Sequence, residues 1–241
     1  MKNRNALVTG AAGGLGAAIT GALRAAGVRV AAADRDLDGI EAEVLLPGDL
    51  TDRDYCDGLP DVAARALGGL DILINNAGLI RRGRIDTVTD EDYRFSFAVN
   101  VEAPFRLCRA AVPLLSRNES SAIVNVASCW GLRPGSDHPV YCMTKAAVAA
   151  MTQCLGRDHA PQGIRVNAVC PNEMDTPMLR SGFEARGLDP ARAIGDLNAS
   201  VPLGHIADPA EIAEVVVFLC SEGARYLCGA LIEAHGGKPV Q

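Results

Sequence analysis

The chain has 241 residues, of which 49% are hydrophobic and 22% are charged. These proportions are typical of a globular protein, and they exclude a disordered chain, a coiled coil and a collagen-like fibre. The formal net charge is −6 without a basic block, so we expect no binding to nucleic acid or to a membrane surface. No apolar run approaches the roughly 18 residues that span a bilayer and no signal peptide is recognised, which predicts a cytoplasmic protein.

The chain contains eight cysteines, none of them in a C-x-x-C pair or at zinc-finger spacing from a histidine. Most lie in apolar stretches, where cysteine behaves as a small hydrophobic residue. We therefore predict buried free thiols in a reducing compartment, and no metal site.

Seven short apolar runs are predicted as strands, at residues 5–8, 28–33, 44–46, 71–74, 122–126, 165–169 and 230–233. They are apolar nearly throughout, which is typical of strands covered on both faces. Amphipathic stretches between them predict helices at about 14–26, 52–66, 91–117, 140–160 and 209–221. This alternation predicts an α/β fold, with a single Rossmann-like, doubly wound parallel sheet and helices on both faces.

No linker or low-complexity tract divides the chain, so one domain over residues 1–241 is predicted. The least regular stretch, at about 172–207, is rich in Gly, Pro, Asp and Arg. Long irregular segments in compact domains are often functional, and we expect this one to be a substrate loop.

A glycine-rich turn, Thr9-Gly-Ala-Ala-Gly-Gly-Leu-Gly16, joins the first strand to the first helix. Such glycines permit a tight turn and a close approach to a pyrophosphate, which then meets the free N–H groups of the helix start. The motif alone is also compatible with a plain turn. Its position here predicts a dinucleotide site that includes Gly10, Gly14, Leu15 and Gly16.

An acidic residue, Asp34, ends the second predicted strand region twenty residues after Gly14. A carboxylate there accepts hydrogen bonds from the adenine-ribose hydroxyls of NAD and repels the 2′-phosphate of NADP. Arg35 is the complication, because an arginine would pair with that phosphate; we expect it to cover the adenine instead. NAD is therefore the predicted cofactor, and NADP is less favoured.

The ends of the third and fourth strands should complete the cofactor site, because open α/β sheets bind ligands at the carboxyl ends of their strands. Asp49 and Leu50 follow the third strand and are expected to flank the adenine. Small residues after the fourth strand would let the cofactor cross the sheet edge; these are Asn76, Ala77 and Gly78.

Four polar residues are predicted to form a proton-transfer site. Tyr141 and Lys145 are one helical turn apart and therefore point the same way. Ser128 follows the fifth strand, which places it at the cofactor edge of the sheet. Asn100 lies among apolar helix residues and needs a buried partner.

These residue types suit the oxidation of an alcohol, which must lose its hydroxyl proton as it gives up a hydride. Tyrosine is a poor base at its ordinary pKa of about 10, but the Lys145 ammonium and a positive nicotinamide ring would favour the phenolate. Ser128 would hold the substrate oxygen, and Asn100 would position a water that links Lys145 to solvent. In reverse, Tyr141 would protonate a carbonyl.

Taken together, the motifs resemble those of the short-chain dehydrogenases/reductases, in order and spacing, over essentially the whole chain. The matching elements are the glycine turn, Asn75-Asn-Ala-Gly78, Asn100, Ser128, Tyr141-x-x-x-Lys145 and Pro171-x-x-x-x-Thr176. The resemblance implies a nicotinamide cofactor, the catalytic tetrad Asn100, Ser128, Tyr141 and Lys145, and a homo-oligomer, either a tetramer (favoured) or a dimer. It also implies that Tyr141, Lys145, Pro171 and Thr176 contact the cofactor.

Two positions depart from the family pattern. Asn172 stands where the family commonly has glycine, and Ala234-His-Gly-Gly237 replaces the frequent Val-Asp-Gly-Gly. Because of the first change, the family pattern does not predict the loop beside the nicotinamide. Because of the second change, it does not predict the C-terminal packing.

Polar residues surround the expected mouth of the site, and six of them are candidate substrate contacts: Trp130, Arg133, His138, Asn172, Glu173 and Arg186. Arg81, Arg82 and Arg180 lie nearby; each arginine alone is compatible with a solvated side chain. Several around one mouth favour an anionic or polyhydroxylated substrate. We expect a small secondary alcohol, such as a sugar, sugar acid or polyol, that is oxidised to its ketone.

Two other functions stay open. A reductase of 3-oxoacyl thioesters is one, which Asp34 disfavours because such family members usually use NADPH. The other is a non-catalytic NAD-sensing or scaffold protein on the same fold, which the presence of Tyr141 and Lys145 disfavours.

Overall fold

A computed structural model describes residues 1–184 and 186–238. Within them, seven parallel strands form one sheet in the order β3-β2-β1-β4-β5-β6-β7. The strands are β1 (Asn5–Thr9), β2 (Arg29–Asp34), β3 (Val44–Pro47), β4 (Ile72–Asn75), β5 (Ser121–Val126), β6 (Ile164–Pro171) and β7 (Leu231–Ala234). All seven predicted strands are confirmed, with bounds that agree to within two residues. The predicted fold is confirmed as well.

Helices cover both faces of this sheet. They are α1 (Gly14–Ala25), α2 (Arg53–Leu67), α3 (Asp90–Phe97), α4 (Ala103–Leu115), α5 (Cys129–Leu132), α6 (Pro139–His159), α7 (Pro177–Glu184), α8 (Pro190–Ser200) and α9 (Pro209–Cys220). On β1, Val8 packs in a cluster with α1 and α9, whereas Leu7 packs in a second cluster with α2 and α4. Because both faces are buried, the strands read as continuous apolar runs.

The predicted helix at 91–117 is interrupted. Between α3 and α4 the chain forms a π-helical turn over Ala98–Glu102, closed by a hydrogen bond from the Ala103 N–H to the Ala98 carbonyl. Such a turn inserts an extra residue into the helix and is frequent at functional sites. Its third residue is Asn100, which is thereby directed into the protein interior at 1% exposure.

The prediction that residues 172–207 are irregular is wrong. Helices α7 and α8 occupy much of this segment. Pro177 and Pro190 are the first residues of these helices, and Asp189 caps α8 by accepting a hydrogen bond from the Ala191 N–H. Residues that suggested a loop therefore serve as helix-start residues, where proline and aspartate are both favoured.

The eight cysteines are free thiols, and six of them are buried; Cys154 and Cys228 are exposed. Across residues 1–184 and 186–238, no cluster of three potential metal ligands is present. In the same ranges, no helix has the combined length and apolarity that a membrane crossing requires.

Candidate active site

A cavity of about 590 Å³ opens at the carboxyl ends of β1, β2 and β4, beside the point where the strand order reverses between β1 and β4. Such a reversal is the usual ligand site of an open α/β sheet. Fourteen of the fifteen residues predicted to bind cofactor line the cavity: Gly10, Gly14, Leu15, Gly16, Asp34, Arg35, Asp49, Leu50, Asn76, Ala77, Gly78, Tyr141, Lys145 and Thr176. The exception is Pro171.

The glycine turn is shaped by close backbone contacts. Gly10 has φ +65°, and a Cβ atom there would lie 2.7 Å from the Ala77 Cα; a Cβ at Gly16 would overlap the Gly10 carbonyl oxygen. The Asn76 side chain holds the two loops together by donating to the Thr9 and Gly10 carbonyls, each at 2.9 Å. Only glycine permits this approach.

The start of α1 fits a phosphate group. Its first residue, Gly14, lines the cavity, and its N-cap, Gly13, supplies no side-chain acceptor for the first N–H groups of the helix. Helix-start N–H groups together with the helix dipole favour an anion. The residues present therefore fit the pyrophosphate of a dinucleotide.

The Asp34 carboxylate is fixed by two backbone donors. It accepts hydrogen bonds from the Ala12 N–H at 3.0 Å and the Arg35 N–H at 2.7 Å. Nearby, a hydrogen bond from the Thr51 N–H holds the pKa of Asp49 below its ordinary value, and the Arg35 charge also lowers this pKa. Partial burial acts in the opposite direction. Arg35 thus interacts electrostatically with an acid on the cavity wall.

The structure brings Asn100, Tyr141 and Lys145 together beside Gly78. A Cβ atom at Gly78 would lie 3.2 Å from Lys145 Nζ and 3.5 Å from Asn100 Oδ1. The Lys145 ammonium donates to the Val126 carbonyl at 2.8 Å and lies 5.9 Å from the centre of the Tyr141 ring. The small residue after β4 therefore leaves room for the lysine to reach the end of β5.

Ser128 joins this group from the end of β5. Its hydroxyl accepts a hydrogen bond from the Trp130 N–H at 3.1 Å and donates to the Pro171 carbonyl at 3.4 Å. The Ser128 side chain also lowers the pKa of Tyr141. Ser128 therefore lies close enough to the phenol to influence its ionisation.

The Asn100 amide is occupied by protein partners. Its oxygen accepts from the Leu79 N–H, and its nitrogen donates to the Leu79 carbonyl, both at 2.9 Å. The same nitrogen donates to the Thr144 hydroxyl at 3.0 Å, and that hydroxyl donates to the Tyr141 carbonyl at 2.8 Å. These contacts clamp the β4 loop to α6, and the role of Asn100 in positioning a water stays a prediction.

Burial dominates the ionisation of the site. It lowers the pKa of Lys145 from 10.5 to about 8, with the Cys170 thiol acting in the opposite direction. Burial also raises the pKa of Tyr141, while the contact with Ser128 and the charge of Arg82 lower it. In the protein alone, desolvation of the phenol exceeds the effects that favour its charged form, and the shift towards phenolate beside a bound nicotinamide stays a prediction.

None of the six candidate substrate residues lines the cavity. Trp130 and His138 pack edge to face before α6, with ring centres 4.6 Å apart. Arg133 forms an ion pair with Glu233 on β7. Arg186, two residues after the end of α7, donates from Nε to the Gly182 carbonyl at 2.9 Å.

The other two candidates contact the C-terminal segment. The Asn172 N–H donates to the Ala234 carbonyl at 3.0 Å, and its side chain reaches the Lys238 carbonyl at 3.4 Å. Lys238 Nζ binds Glu173 at 3.1 Å. The non-family residue Asn172 is thus used in C-terminal packing, and the substrate roles of all six residues stay predictions.

Sequence reasoning missed part of the cavity wall: Ala12, Gly13, Gly48, Leu79, Arg81, Phe95, Val99, Val126, Met174, Pro177 and Met178. Two of them had a usable signal, because Leu79 and Val126 lie at the carboxyl ends of β4 and β5. Phe95 and Val99 are one helical turn apart next to Asn100, but an apolar pair at that spacing also fits an ordinary core face.

The fold and the site define a class: an α/β oxidoreductase with a dinucleotide groove and a tyrosine–lysine pair beside it. A family model described as enoyl-(acyl carrier protein) reductase matches residues 10–238. L-xylulose reductase of Bos taurus is 37% identical over 98% of this chain and 97% of its own length. The 3-oxoacyl-[acyl-carrier-protein] reductase FabG of Thermotoga maritima is 32% identical over 100% and 99%.

Solved structures of similar proteins have the same fold over nearly the whole chain. Ligand-free aldohexose dehydrogenase of Thermoplasma acidophilum superposes with a TM-score of 0.93 at 28% identity, covering 100% of this chain and 97% of that one. The 3-ketoacyl-(acyl-carrier-protein) reductase of Brucella melitensis complexed with NADH gives 0.90 at 28% identity, covering 99% of each. The chain belongs to the short-chain dehydrogenase/reductase family, and it is an oxidoreductase that acts on CH–OH groups with a nicotinamide cofactor.

Proposed function

We propose that this protein interconverts a small polar secondary alcohol and its ketone, with NAD as cofactor. The substrate is a sugar, a sugar acid or a polyol. The observation that carries the proposal is the position of Tyr141 and Lys145 on the wall of the cavity, with Ser128 close enough to lower the pKa of Tyr141. Relatives named for sugar substrates, L-xylulose reductase and aldohexose dehydrogenase, support the polar substrate class.

In this mechanism the bound nicotinamide supplies the hydride acceptor or donor. Tyr141 takes the hydroxyl proton of the alcohol, or returns it to the ketone oxygen. Ser128 orients the substrate oxygen towards Tyr141, and the Lys145 charge stabilises the phenolate when it forms. Asn100 is a positioning residue, because it acts through Leu79 and Thr144 on the helix that carries Tyr141 and Lys145.

The preference for NAD rests on the fixed carboxylate of Asp34, which would repel a 2′-phosphate. Arg35 lies within electrostatic reach of Asp49, which competes with a phosphate for its charge. The pyrophosphate would bind at Gly14, Leu15 and Gly16, with Thr176 beside them. Asp34→Ser should raise kcat/KM with NADP at least tenfold relative to NAD, as measured in parallel assays; an unchanged ratio would contradict the assignment.

The test of the reaction is the absorbance of reduced nicotinamide while the protein meets NAD and a panel of sugars, polyols, sugar acids and hydroxy acids. We expect reduction of NAD with one polar class, and its loss in Tyr141→Phe. Activity confined to apolar alcohols would overturn the proposal. Binding of NAD without turnover of any compound would favour the sensing function instead.

Reduction of 3-oxoacyl thioesters is the second candidate, favoured by the 32% identity to a FabG reductase. Oxidation of reduced cofactor by acetoacetyl-CoA tests it in the same assay. A kcat/KM above that of every polar ketone in the panel would establish this function in place of the first.

We also propose a cytoplasmic homo-oligomer, with a tetramer favoured over a dimer. Large apolar side chains are exposed on two helices, Phe105 on α4 at 50% and Met143 on α6 at 43%, and covering them would be favourable. Eight free thiols suit a reducing compartment. Light scattering during gel filtration measures the assembly, and a monomer at micromolar concentration would contradict it.

A further inference from the structure

Two guanidinium groups, from Arg82 and Arg186, converge on Gly182 in α7. A Cβ atom at Gly182 would overlap Nη2 of Arg82 and lie 2.7 Å from its Cζ. Arg186 donates from Nε to the Gly182 carbonyl at 2.9 Å, and its guanidinium lies 5.0 Å from the centre of the Phe183 ring. The absence of a side chain at Gly182 is what admits Arg82 to this position.

Neither guanidinium has an acidic partner among residues 1–184 and 186–238. Neighbouring arginines do: Arg81 pairs with Asp92, Arg84 with Asp86 and Arg180 with Asp175. The chain has 29 acids and 23 Lys and Arg residues, so acids are not scarce. Both arginines are exposed, so water screens much of their mutual repulsion, and an anion that joined them would add charge-assisted hydrogen bonds.

The pKa of Arg82 is consistent with a second positive charge nearby. The pKa of Arg82 is lowered by partial burial and then by repulsion from Arg186, while Tyr141 acts in the opposite direction. The Arg82 charge in turn lowers the pKa of Tyr141. Arg82 and the reacting phenol are therefore within electrostatic reach of each other, and Arg186 is within electrostatic reach of Arg82.

The backbone next to Arg82 is held to the segment that precedes α6. The Gly83 N–H donates to the Asp137 carbonyl at 2.9 Å, and Gly83 has φ +146°, a conformation that favours glycine. Asp137 itself has φ +62°. This contact joins the loop after β4 to the entrance of the helix that carries Tyr141, so Arg82 is positioned relative to the reacting group.

We propose that Arg82 and Arg186 bind a carboxylate of the substrate, so that the alcohol oxidised is a small hydroxy acid and not a neutral sugar or polyol. The assignment rests on the proposed function and narrows it. Two guanidinium groups match a carboxylate with parallel N–H donors. The hydride of the carbinol carbon passes to NAD and the hydroxyl proton to Tyr141, which yields a keto acid, reduced cofactor and, after exchange with solvent, one proton.

Matched substrates test the charge directly. Short hydroxy acids and aldonic acids are assayed with NAD, each beside its own primary amide, which keeps the hydroxyl groups and removes the negative charge. Wild-type protein should use an acid at least tenfold better in kcat/KM than its amide. Arg82→Gln and Arg186→Gln should each raise KM for the acid roughly 10- to 100-fold while KM for the amide is unaffected. Arg82→Gln should also move the pH profile of oxidation to higher pH, because the Arg82 charge lowers the pKa of Tyr141.

Three further variants separate charge from folding. Arg84→Gln removes a charge from the same loop, where the guanidinium faces Asp86, and should leave both KM values unchanged. Arg82→Lys keeps the charge without the paired donors and should give an intermediate KM. Gly182→Ala keeps both charges but displaces Arg82, and should also raise KM for the acid.

Equal use of acid and amide by wild type, or a preference for phosphorylated sugars, would overturn the carboxylate assignment. The assignment would also be overturned if neutral polyols are turned over, and if this activity is lost in Tyr141→Phe but unaffected in Arg82→Gln. That result would leave the proposed function intact. If no compound is turned over, the proposed function fails. Calorimetric titration of the NAD-loaded protein with the same acids then tests the carboxylate site independently of turnover. Binding that is lost in Arg82→Gln supports the site, and binding that is absent or unchanged in this variant overturns it.

Discussion

Lys145 carries an electrostatic cost, because this charged residue is almost completely buried at 5% exposure. Its pKa falls from 10.5 to about 8, so the unfolded chain holds this proton more tightly than the folded protein does. The free energy of unfolding therefore rises as the pH increases from 8 to 10.5. Below pH 8 the full cost of burying the charge is present.

Replacing this lysine should stabilise the protein and inactivate it. Lys145→Met keeps the length of the side chain without the charge, and we expect a gain of about 1–3 kcal/mol in the free energy of unfolding at pH 7. The gain should shrink towards pH 10.5, as measured by urea denaturation, while oxidoreduction is lost. Lys2→Met, at an exposed position, is the control. A less stable Lys145→Met protein at pH 7 would mean that the bond to the Val126 carbonyl outweighs the desolvation cost.

Tyr141 predicts the pH dependence of the reaction. Burial raises its pKa, so the phenol is protonated at neutral pH, which suits reduction, whereas oxidation requires the phenolate. The rate of oxidation should rise with pH into the alkaline range, and the rate of reduction should fall. Tyr141→Phe should lower kcat at least about 100-fold in both directions, as followed by cofactor absorbance from pH 6 to 10.

Ser128 provides a separate check on that assignment. Its contact lowers the pKa of Tyr141, so Ser128→Ala should move the pH profile of oxidation to higher pH as well as lowering kcat. A profile that does not move would show that another group titrates.

At the scale of secondary structure, the π-helical turn at Ala98–Glu102 places Asn100 between the β4 loop and α6. Asn100→Ala leaves the partly buried N–H and carbonyl of Leu79 without the amide partner, which should cost about 1–3 kcal/mol of unfolding free energy. It should also lower kcat more than it changes KM, because α6 carries Tyr141 and Lys145.

A matched control exists for this variant. Asn167 is as deeply buried at 1% exposure and clamps the backbone in the same way, between the Leu227 carbonyl and the Ala230 N–H, at 2.9 Å each. Asn167→Ala should lose similar stability with kcat retained. A similar fall of kcat in both variants would show that the loss of activity in Asn100→Ala results from lower stability and not from a specific positioning of α6.

Two glycines of α1 predict opposite outcomes. Gly16→Ala would overlap the Gly10 carbonyl oxygen, so it should destabilise the turn by more than about 2 kcal/mol and abolish cofactor binding. Gly21 has nothing within 4 Å of its Cβ position, and Gly21→Ala should stabilise the protein by about 0.5–1 kcal/mol. Thermal unfolding with and without NAD measures both, and similar effects of the two substitutions would contradict the geometry.

These elements also show what the sequence could predict. The strands were found because burial on both faces produces uninterrupted apolar runs, and the cofactor groove was found because strand ends meet at one edge. Helices α7 and α8 were missed because their prolines and Asp189 were counted as breakers, although they begin helices. The π-helical turn has no periodic signature of its own. The meeting of Arg82, Arg186 and Gly182 depends on how α7 packs, which spacing along the chain does not encode.

At the scale of the whole molecule, the cavity draws its wall from both halves of the sheet, with Asp34 at the end of β2 and Tyr141 on the helix that follows β5. A ligand that binds only the folded state stabilises it by an amount that grows with the logarithm of the ratio of its concentration to its Kd. NAD at 100 times its Kd should therefore add about 2.7 kcal/mol to the free energy of unfolding. Thermal unfolding should show a smaller shift with NADP, and an equal or larger one would contradict the role of Asp34.

The single tryptophan, Trp130, lies two residues after Ser128, edge-on to His138 and with ring atoms 3.3 Å from the Cβ position of Gly135. All indole fluorescence of each chain therefore originates beside the site. Reduced nicotinamide absorbs light in the band where indole emits, so its arrival transfers excitation energy away from Trp130. The protein thus carries an intrinsic optical reporter, in which quenching follows cofactor binding and the emission wavelength follows the loop around Gly135, without any attached dye.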